Sequence, residues 1–180
     1  MVSPVIARVL RLALLVALLG VVAAPTAAPA PVHREQSVAA LDTAVLEGLN
    51  AIRKAHGLVS LRASASLAAA AGFHSRELAT GGYFAHTSAD GGAFWKRIER
   101  WYAPRATGSW EVGENLLWCS PDVDAQQALR SWMDSPEHRA NILGADWREI
   151  GVAAVHVTSA GGVYGGRPVT IITADFGARA

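Results

Sequence analysis

Cysteine is nearly absent from this chain of 180 residues, in which Cys119 is the only one. A single cysteine cannot form a disulfide within the chain, so packing must supply the stability that many exported domains obtain from cross-links. Cys119 could still pair between chains, but its place between Trp118 and Ser120 suits a small buried apolar side chain better. The sequence therefore excludes a disulfide-rich scaffold.

An excess of charge of one sign is also absent. The chain has 16 Lys and Arg against 15 Asp and Glu, a formal net charge of +1. Without residues 1–30, which contain Arg8 and Arg11, the balance becomes 14 against 15 and the net charge −1. Such a balance gives no electrostatic reason to expect nucleic acid or an anionic membrane surface as a partner, and we predict neither.

Long apolar runs are missing as well, and the apolar run near the start of the chain is short. The segment "LALLVALLGVV" at 12–22 has 11 residues, whereas a membrane span takes about 20. Arg8 and Arg11 precede it, and small residues with prolines follow at 23–31, which is the order of a secretory signal peptide. We predict that this segment is removed on export; an uncleaved anchor is the alternative.

The rest of the chain is long enough for one domain. We assign residues 1–30 to the signal peptide, 31–38 to a linker and 39–180 to a single domain without internal repeats. A chain of this length can bury a sizeable core. We expect a secreted, extracellular monomer with no stable membrane anchor once the signal is removed.

Hydrophobic spacing predicts helices in the first half of this domain. Apolar residues recur at helical spacing from 41 to 52 and again from 67 to 78, and glycines follow both stretches. His74 lies on the second apolar stripe, so we expect a core histidine there. Residues 93–101 predict a short helix, and 110–118 have the composition of an irregular or strand-like segment.

Two Ser-Pro-acid triplets predict further helix starts. At 120–122 and at 135–137 the serine hydroxyl can cap a helix, the proline suits the first helical position, and the acid lies in the first turn. Two β-rich segments, at 150–157 and 169–176, then close the chain around a Gly-rich connection. Helices followed by paired strands predict an α+β domain with an antiparallel sheet.

Three ionisable residues stand out in turn-like or cap-like contexts: His86 in "FAHT", Glu114 in "GEN" and His138 in "SPEHR". If they meet in the fold, two imidazoles and a carboxylate can bind zinc with an open coordination position. Alternatively, the carboxylate could orient a ligating imidazole without touching the metal. Their spacing does not show that they meet, so both possibilities stay open.

His138 occupies a helix start, which affects its charge. If Ser135 is the N-cap, His138 is the third helical residue, where the positive end of the helix dipole disfavours an imidazolium. A neutral His138 could bind a metal or accept a hydrogen bond near pH 7. A half-exposed capping histidine explains the pattern equally well. No G-x-S-x-G motif is present, and Cys119 lies among apolar residues, so we predict no nucleophile.

The ordered segments "FAHT", "GENLLW" and "WMDSPEHRANILGADWREIGVA" resemble a known family. They are similar to the CAP superfamily of cysteine-rich secretory, antigen 5 and pathogenesis-related 1 proteins, also called SCP domains. The likeness extends from about residue 41 to 177. The short "SPEHRANIL" form resembles the secreted bacterial branch, which lacks the disulfides of eukaryotic members.

This resemblance implies an α-β-α sandwich with a central antiparallel sheet and a cleft lined by two histidines and two glutamates. The matching residues are His86, Glu114 and His138, and Asn115 follows Glu114 in the same motif. The position of the second glutamate holds Ser135 instead. In the family the histidine pair can hold a divalent metal, so the resemblance implies His86 and His138 as metal ligands with the other three residues around them.

Three functions follow from these residues. We favour a binding module that recognises an extracellular lipid, glycan or protein, with zinc or another divalent metal as the only cofactor. Binding of that metal should be weak, because a closed zinc site normally has four protein ligands. The first alternative is a metal-dependent peptidase or esterase in which His86 and His138 hold the ion and Glu114 is a general base. The second is a non-catalytic structural domain.

Overall fold

A computed structural model describes residues 38–180 of the chain. The predicted signal peptide, at 1–30, lies outside the described residues, as does the predicted linker except for Val38. The first helix begins at Val38, one residue before the predicted start of the domain. Within the described range, no helix is both long enough and apolar enough to cross a membrane.

In the described chain, one or two helices precede each of the first three strands, and the last two strands form a hairpin. The elements are α1 Val38–Ala55, β1 Arg62–Ala63, α2 Ala65–Gly81, α3 Phe94–Glu99, β2 Trp110–Cys119, α4 Ala125–Asp134, α5 Pro136–Ile142, β3 Glu149–Ala160 and β4 Arg167–Arg179. A single 3₁₀ turn, Gly162–Tyr164, lies in the Gly-rich connection between β3 and β4. The helices predicted at 41–52, 67–78 and 93–101 are confirmed as α1, α2 and α3.

One four-stranded sheet, in the order β1-β3-β4-β2, forms the middle of the domain. The predicted pairing of 150–157 with 169–176 is confirmed, because β3 and β4 are antiparallel with Val152 opposite Ala174. The predicted antiparallel sheet is confirmed for the three long strands, and the two-residue β1 adds a short parallel pair with β3. A parallel pair needs a long crossover, and the chain between β1 and β3 supplies one.

Helices cover both faces of this sheet, which confirms the α-β-α sandwich. Side chains alternate along each strand, so every long strand contributes to two cores. One face packs against α1, α4 and α5, in a cluster that includes Leu41, Val45, Leu49, Trp132, Ile142, Val152, Ile172 and Phe176. The other face packs against α2 and α3, in clusters that include Leu67, Ala70, Leu78, Ile98, Leu116 and Ile171.

The predicted helix start at Ser120 is wrong. Strand β2 continues to Cys119, which still pairs with Thr170, so Ser120 follows directly on a ladder. Helix α4 begins at Ala125, and the side chain of Asp124 caps it by accepting a hydrogen bond from the backbone N–H of Gln127 at 2.7 Å. The capping pattern at Ser120 does not start a helix, because the preceding residue is still paired with β4.

A carboxyl group fastens α1 to the sheet and titrates near neutrality. Oδ1 of Asp42 accepts a hydrogen bond from the backbone N–H of Ala154 at 2.6 Å. Burial raises the pKa of Asp42 to about 6, and the hydrogen bond opposes that rise only in part. Asp42 therefore binds a proton more tightly in the folded protein than in the unfolded chain, so stability should fall as pH rises from about 4 through 6.

Asp42→Asn keeps an oxygen acceptor and removes this titration. We expect the variant to be more stable than the parent at pH 8, by about 1 kcal/mol once partial solvent exposure is allowed for, and equally stable near pH 3.5. Urea unfolding at both pH values measures the difference. Glu47→Gln, an exposed change on the same helix, should alter neither value. A variant less stable than the parent at pH 8 would contradict the assignment.

Candidate functional site

Strand β2 lies at one edge of the sheet and supplies two neighbouring polar residues. Glu114 and Asn115 are both buried, and because successive strand residues point to opposite faces, they reach different helical layers. Glu114 contacts the segment that precedes and includes α3, and Asn115 contacts α5. The edge of β2 therefore joins the two layers of the sandwich.

The carboxylate of Glu114 is held by two cationic or ionisable groups. Its Oε1 lies 2.7 Å from Nδ1 of His86, and its Oε2 accepts a hydrogen bond from the guanidinium of Arg97. The side chains of Glu114 and Arg97 are each only 1% exposed, whereas that of His86 is 52% exposed. A buried ion pair thus fixes one nitrogen of an imidazole that reaches solvent.

Arg97 also holds the backbone that carries this imidazole. Its Nη1 donates to the carbonyl oxygen of His86 at 3.1 Å and to Oγ of Ser88 at 3.0 Å. One guanidinium therefore contacts both the loop and the carboxylate that orients the ring. We expect the position of His86 to depend on Arg97 as much as on Glu114.

The second histidine comes from α5, on the other side of the sheet. Nδ1 of His138 lies 2.7 Å from Oγ of Ser135, and its backbone oxygen accepts a hydrogen bond from Nδ2 of Asn115 at 3.0 Å. Asn141 strengthens the join, since its Nδ2 donates to the backbone oxygen of Glu114 and to Oδ1 of Asn115. These contacts dock α5 directly onto the strand that carries Glu114.

The charge of His86 influences the ionisation of His138. Burial is the main cause that lowers the pKa of His138, the nearby charge of His86 lowers it further, and Glu137 opposes the change. A neutral His138 near pH 7 was predicted from the helix dipole, and the direction of the pKa agrees, although the causes are burial and His86. His86 thus contacts Glu114, and α5, which carries His138, docks on Asn115 of the same strand.

Ser135 occupies the predicted N-cap position of α5 without the predicted capping bond. Its backbone oxygen accepts a hydrogen bond from Arg139, but its side chain caps no backbone N–H. The hydroxyl instead contacts His138 and lies 3.3 Å from Oε2 of Glu137. The N-cap position is therefore confirmed, but the hydroxyl contacts the imidazole three residues later in place of a backbone N–H.

A buried acid beside Glu114 was not predicted from the sequence. Asp175 lies directly opposite Glu114 in the β2–β4 ladder and is fully buried. Burial first, and the charge of Glu114 second, raise the pKa of Asp175 well above its usual value. Two adjacent buried carboxylates cannot both ionise cheaply, so the ionised form of Asp175 is disfavoured. A lone acid within the apolar "VTIITADF" was the available signal.

Two further residues brace the site, and only one was recognisable. His74 is completely buried, as predicted for a core histidine, and its ring nitrogens contact Oε2 of Glu77 and the backbone oxygen of Ala85, each at 3.0 Å. It thus holds the loop just before His86. Arg97 gave no signal, because "KRIER" contains several basic residues and nothing local distinguishes the buried one.

The number of side chains available to a metal is small. Across residues 38–180, no group of three or more His, Cys, Asp or Glu side chains is arranged to hold a metal ion. Glu114 is engaged at both oxygens, which leaves His86 and His138 as the donors at this site. Metal binding by these two residues stays a prediction.

Comparison with known proteins adds a family and a shared fold. The sequence model of the cysteine-rich secretory protein family, CAP, matches residues 46–176. The Bacillus subtilis membrane protein YlbC is 31% identical over 108 residues, which cover 60% of this chain and 30% of YlbC. The chain therefore spans less than a third of the length of that relative.

Solved structures agree with the fold. An extracellular protein with an SCP domain from Bacillus anthracis is 27% identical, with a TM-score of 0.58 over 74% of this chain and 39% of that one. An outer surface protein from Borrelia burgdorferi has a TM-score of 0.64 over 77% of this chain and 92% of its own, at 19% identity. The second likeness concerns the fold alone.

Proposed function

Because this chain belongs to the cysteine-rich secretory protein family, CAP, we propose that it acts outside the cell as a binding module whose cleft weakly holds a divalent metal ion. His86 and His138 are the proposed ligands, and zinc is the metal that we expect. Two observations support an extracellular location: the signal-like order of residues 1–30, and the 27% identity to an extracellular SCP protein.

The single observation that supports metal binding is the way in which both imidazoles are held. Each uses Nδ1 for a contact, His86 with Glu114 and His138 with Ser135, and among residues 38–180 no hydrogen bond involves Nε2 of either ring. Histidines that bind a metal through one nitrogen usually donate a hydrogen bond from the other. The donor set therefore fits an ion with two imidazole ligands, whose remaining positions go to water or to a bound ligand.

The geometry favours binding over hydrolysis. A general base must come within about 2.6–3.2 Å of the proton that it removes. Both oxygens of Glu114 are already engaged, and its side chain is almost completely buried. We therefore assign Glu114 to the orientation of His86 rather than to the activation of water.

The ligand of the module is expected to meet an apolar rim beside His86. Phe94 packs edge-on against the imidazole with ring centroids 6.4 Å apart, and Phe84 and Trp95 are 38% and 42% exposed. Lipids and the faces of sugars both contact such side chains, as do apolar protein surfaces. Untargeted lipid and glycan analysis of the protein purified from culture medium, with elemental analysis of the same sample, distinguishes these classes.

Calorimetric titration with zinc chloride between pH 5 and pH 8 tests the metal site. We expect weak binding that His86→Ala and His138→Ala each abolish, while His56→Ala, an exposed histidine elsewhere, leaves it unchanged. Protons compete for imidazole near its reference pKa of about 6.5, so binding should weaken below that pH. Because the pKa of His138 is lowered, this residue should be protonated, and should stop binding zinc, at a lower pH than an ordinary histidine.

Two results would contradict this assignment. Tight zinc binding that survives both substitutions would place the metal elsewhere in the chain. Unfolding on addition of a chelator would show a structural metal, whereas the sandwich has three apolar clusters of its own and should fold without one.

A further inference from the structure

The two histidines proposed as metal ligands are held by different chemical groups. Nδ1 of His86 meets a carboxylate directly, at Oε1 of Glu114. Nδ1 of His138 meets the hydroxyl of Ser135, at the position where the family resemblance implies a glutamate. A serine side chain carries a hydroxyl and no carboxylate. The contact between Ser135 and His138 therefore differs in chemistry from the contact between Glu114 and His86.

We propose that Ser135 and Glu137 are positioning residues that form a relay, in which His138 donates from Nδ1 to the serine hydroxyl and the hydroxyl donates to Glu137. This relay keeps the lone pair of His138 on Nε2, and its consequence for metal binding rests on the function proposed above. Ser135 and Glu137 together thereby take the place of the second glutamate that the family resemblance implies at position 135. Neither residue needs to touch the metal.

The direction of the hydrogen bonds follows from the number of protons. Oγ of Ser135 lies 2.7 Å from Nδ1 of His138 and 3.3 Å from Oε2 of Glu137, and the hydroxyl has one proton. An ionised carboxylate only accepts. If the serine donated to His138, its contact with Glu137 would bring two acceptors together. If it donates to Glu137, both contacts are favourable, and His138 must carry its proton on Nδ1.

The backbone around the relay supports this role. At an ordinary N-cap the serine oxygen would accept from a backbone N–H of the first turn. Here the side chain of Ser135 makes no such bond, and its hydroxyl contacts only side chains. Replacing Ser135 therefore removes little from the stability of α5, which makes the site suitable for substitution.

The first test uses the metal-free protein and reports the tautomer of His138. Long-range ¹H–¹⁵N spectra of histidine-labelled protein at about pH 8, where the imidazole is neutral, distinguish a proton on Nδ1 from one on Nε2. We expect the Nδ1–H form in the parent. Ser135→Ala and Glu137→Ala should both raise the Nε2–H population, and Glu137→Gln, which keeps a carbonyl acceptor, should have a smaller effect.

Matched controls separate the relay from nearby charge. Asp134→Ala removes an exposed acid on the other side of Ser135 and should leave the tautomer unchanged. An Nε2–H tautomer in the parent would overturn the proposal, because the serine would then donate to His138. A tautomer that responds to Ser135→Ala but not to Glu137→Ala would overturn it too.

The second test measures zinc affinity by calorimetry. Loss of a residue that orients a metal-binding histidine typically weakens binding by about 10–100-fold; because Glu137 is exposed, we expect about 10-fold for Ser135→Ala and for Glu137→Ala. Ser135→Glu should keep the affinity of the parent, because it supplies a carboxylate directly. In that background Glu137→Ala should have no further effect, and a continuing 10-fold loss would overturn the relay.

The two tests keep the two proposals apart. If no variant binds zinc but the tautomer behaves as expected, the proposed metal function fails and the relay stands. If zinc binds through both histidines while the parent carries its proton on Nε2, the metal function stands and the relay fails.

Discussion

Replacing Arg97 with methionine is expected to lower the free energy of unfolding by about 3–5 kcal/mol, the usual cost when one partner of a buried ion pair is removed. Arg97 and Glu114 have side chains that are each 1% exposed, so water cannot replace the guanidinium. Glu114 would keep its contact with His86 but would face the buried Asp175 without a compensating cation. Urea unfolding at pH 7 measures the loss.

A double-mutant cycle identifies the cause of that loss. Glu114→Gln alone should also destabilise the protein, because it leaves Arg97 buried and unpaired. The combined variant should be more stable than the sum of the two changes predicts, by about 2 kcal/mol. Arg100→Met, which breaks only an exposed pair with Asp90, should cost less than about 1 kcal/mol. Additive effects of the two buried substitutions would contradict the role of the ion pair.

Replacing Gly151 with alanine is expected to cost about 3 kcal/mol or more, at the upper end for an overpacked core. A Cβ at this position of β3 would lie 2.0 Å from the backbone nitrogen of Ala68 and 2.1 Å from the carbonyl carbon of Leu67. Both atoms belong to the backbone of α2, so the whole helix would have to move. For a domain of this size the midpoint of thermal unfolding should fall by about 10 °C.

A second glycine provides the matched control. A Cβ on Gly161 would meet nothing within 4 Å, and its φ of −76° suits alanine. Gly161→Ala should therefore change the free energy of unfolding by less than about 0.5 kcal/mol. Equal losses for the two variants would show that the cost lies in the glycine backbone generally and not in the close approach of α2 to β3.

The elements that sequence analysis predicted well are those determined by local pattern. Apolar residues three and four positions apart predicted α1 and α2, and alternating β-rich segments predicted the pairing of β3 with β4. In each helix a single apolar face, repeated along one segment, has only one way to be buried, whereas β4 is recognisable as an apolar run because both of its faces are buried. The family motifs added the sandwich.

The elements that were mispredicted depend on distant parts of the chain. Ser120 has good helix-start chemistry, but the β2 ladder extends to its neighbour and Asp124 caps the helix instead. Strand β1 is two residues long and exists because β3 lies beside it in parallel register. The sequence around residues 62–63 has no pattern that indicates pairing with a strand so far along the chain.

The site shows the same division. From the sequence alone came the chemical types and positions of His86, Glu114 and His138. Only the tertiary structure decided that Arg97 and not a neighbouring basic residue pairs with Glu114, that Asp175 lies across the strand from it, and that Ser135 contacts an imidazole instead of capping a helix. The reason is physical: the charge, hydrogen bonding and burial of a side chain depend on strand register and layer packing, which join residues from across the chain.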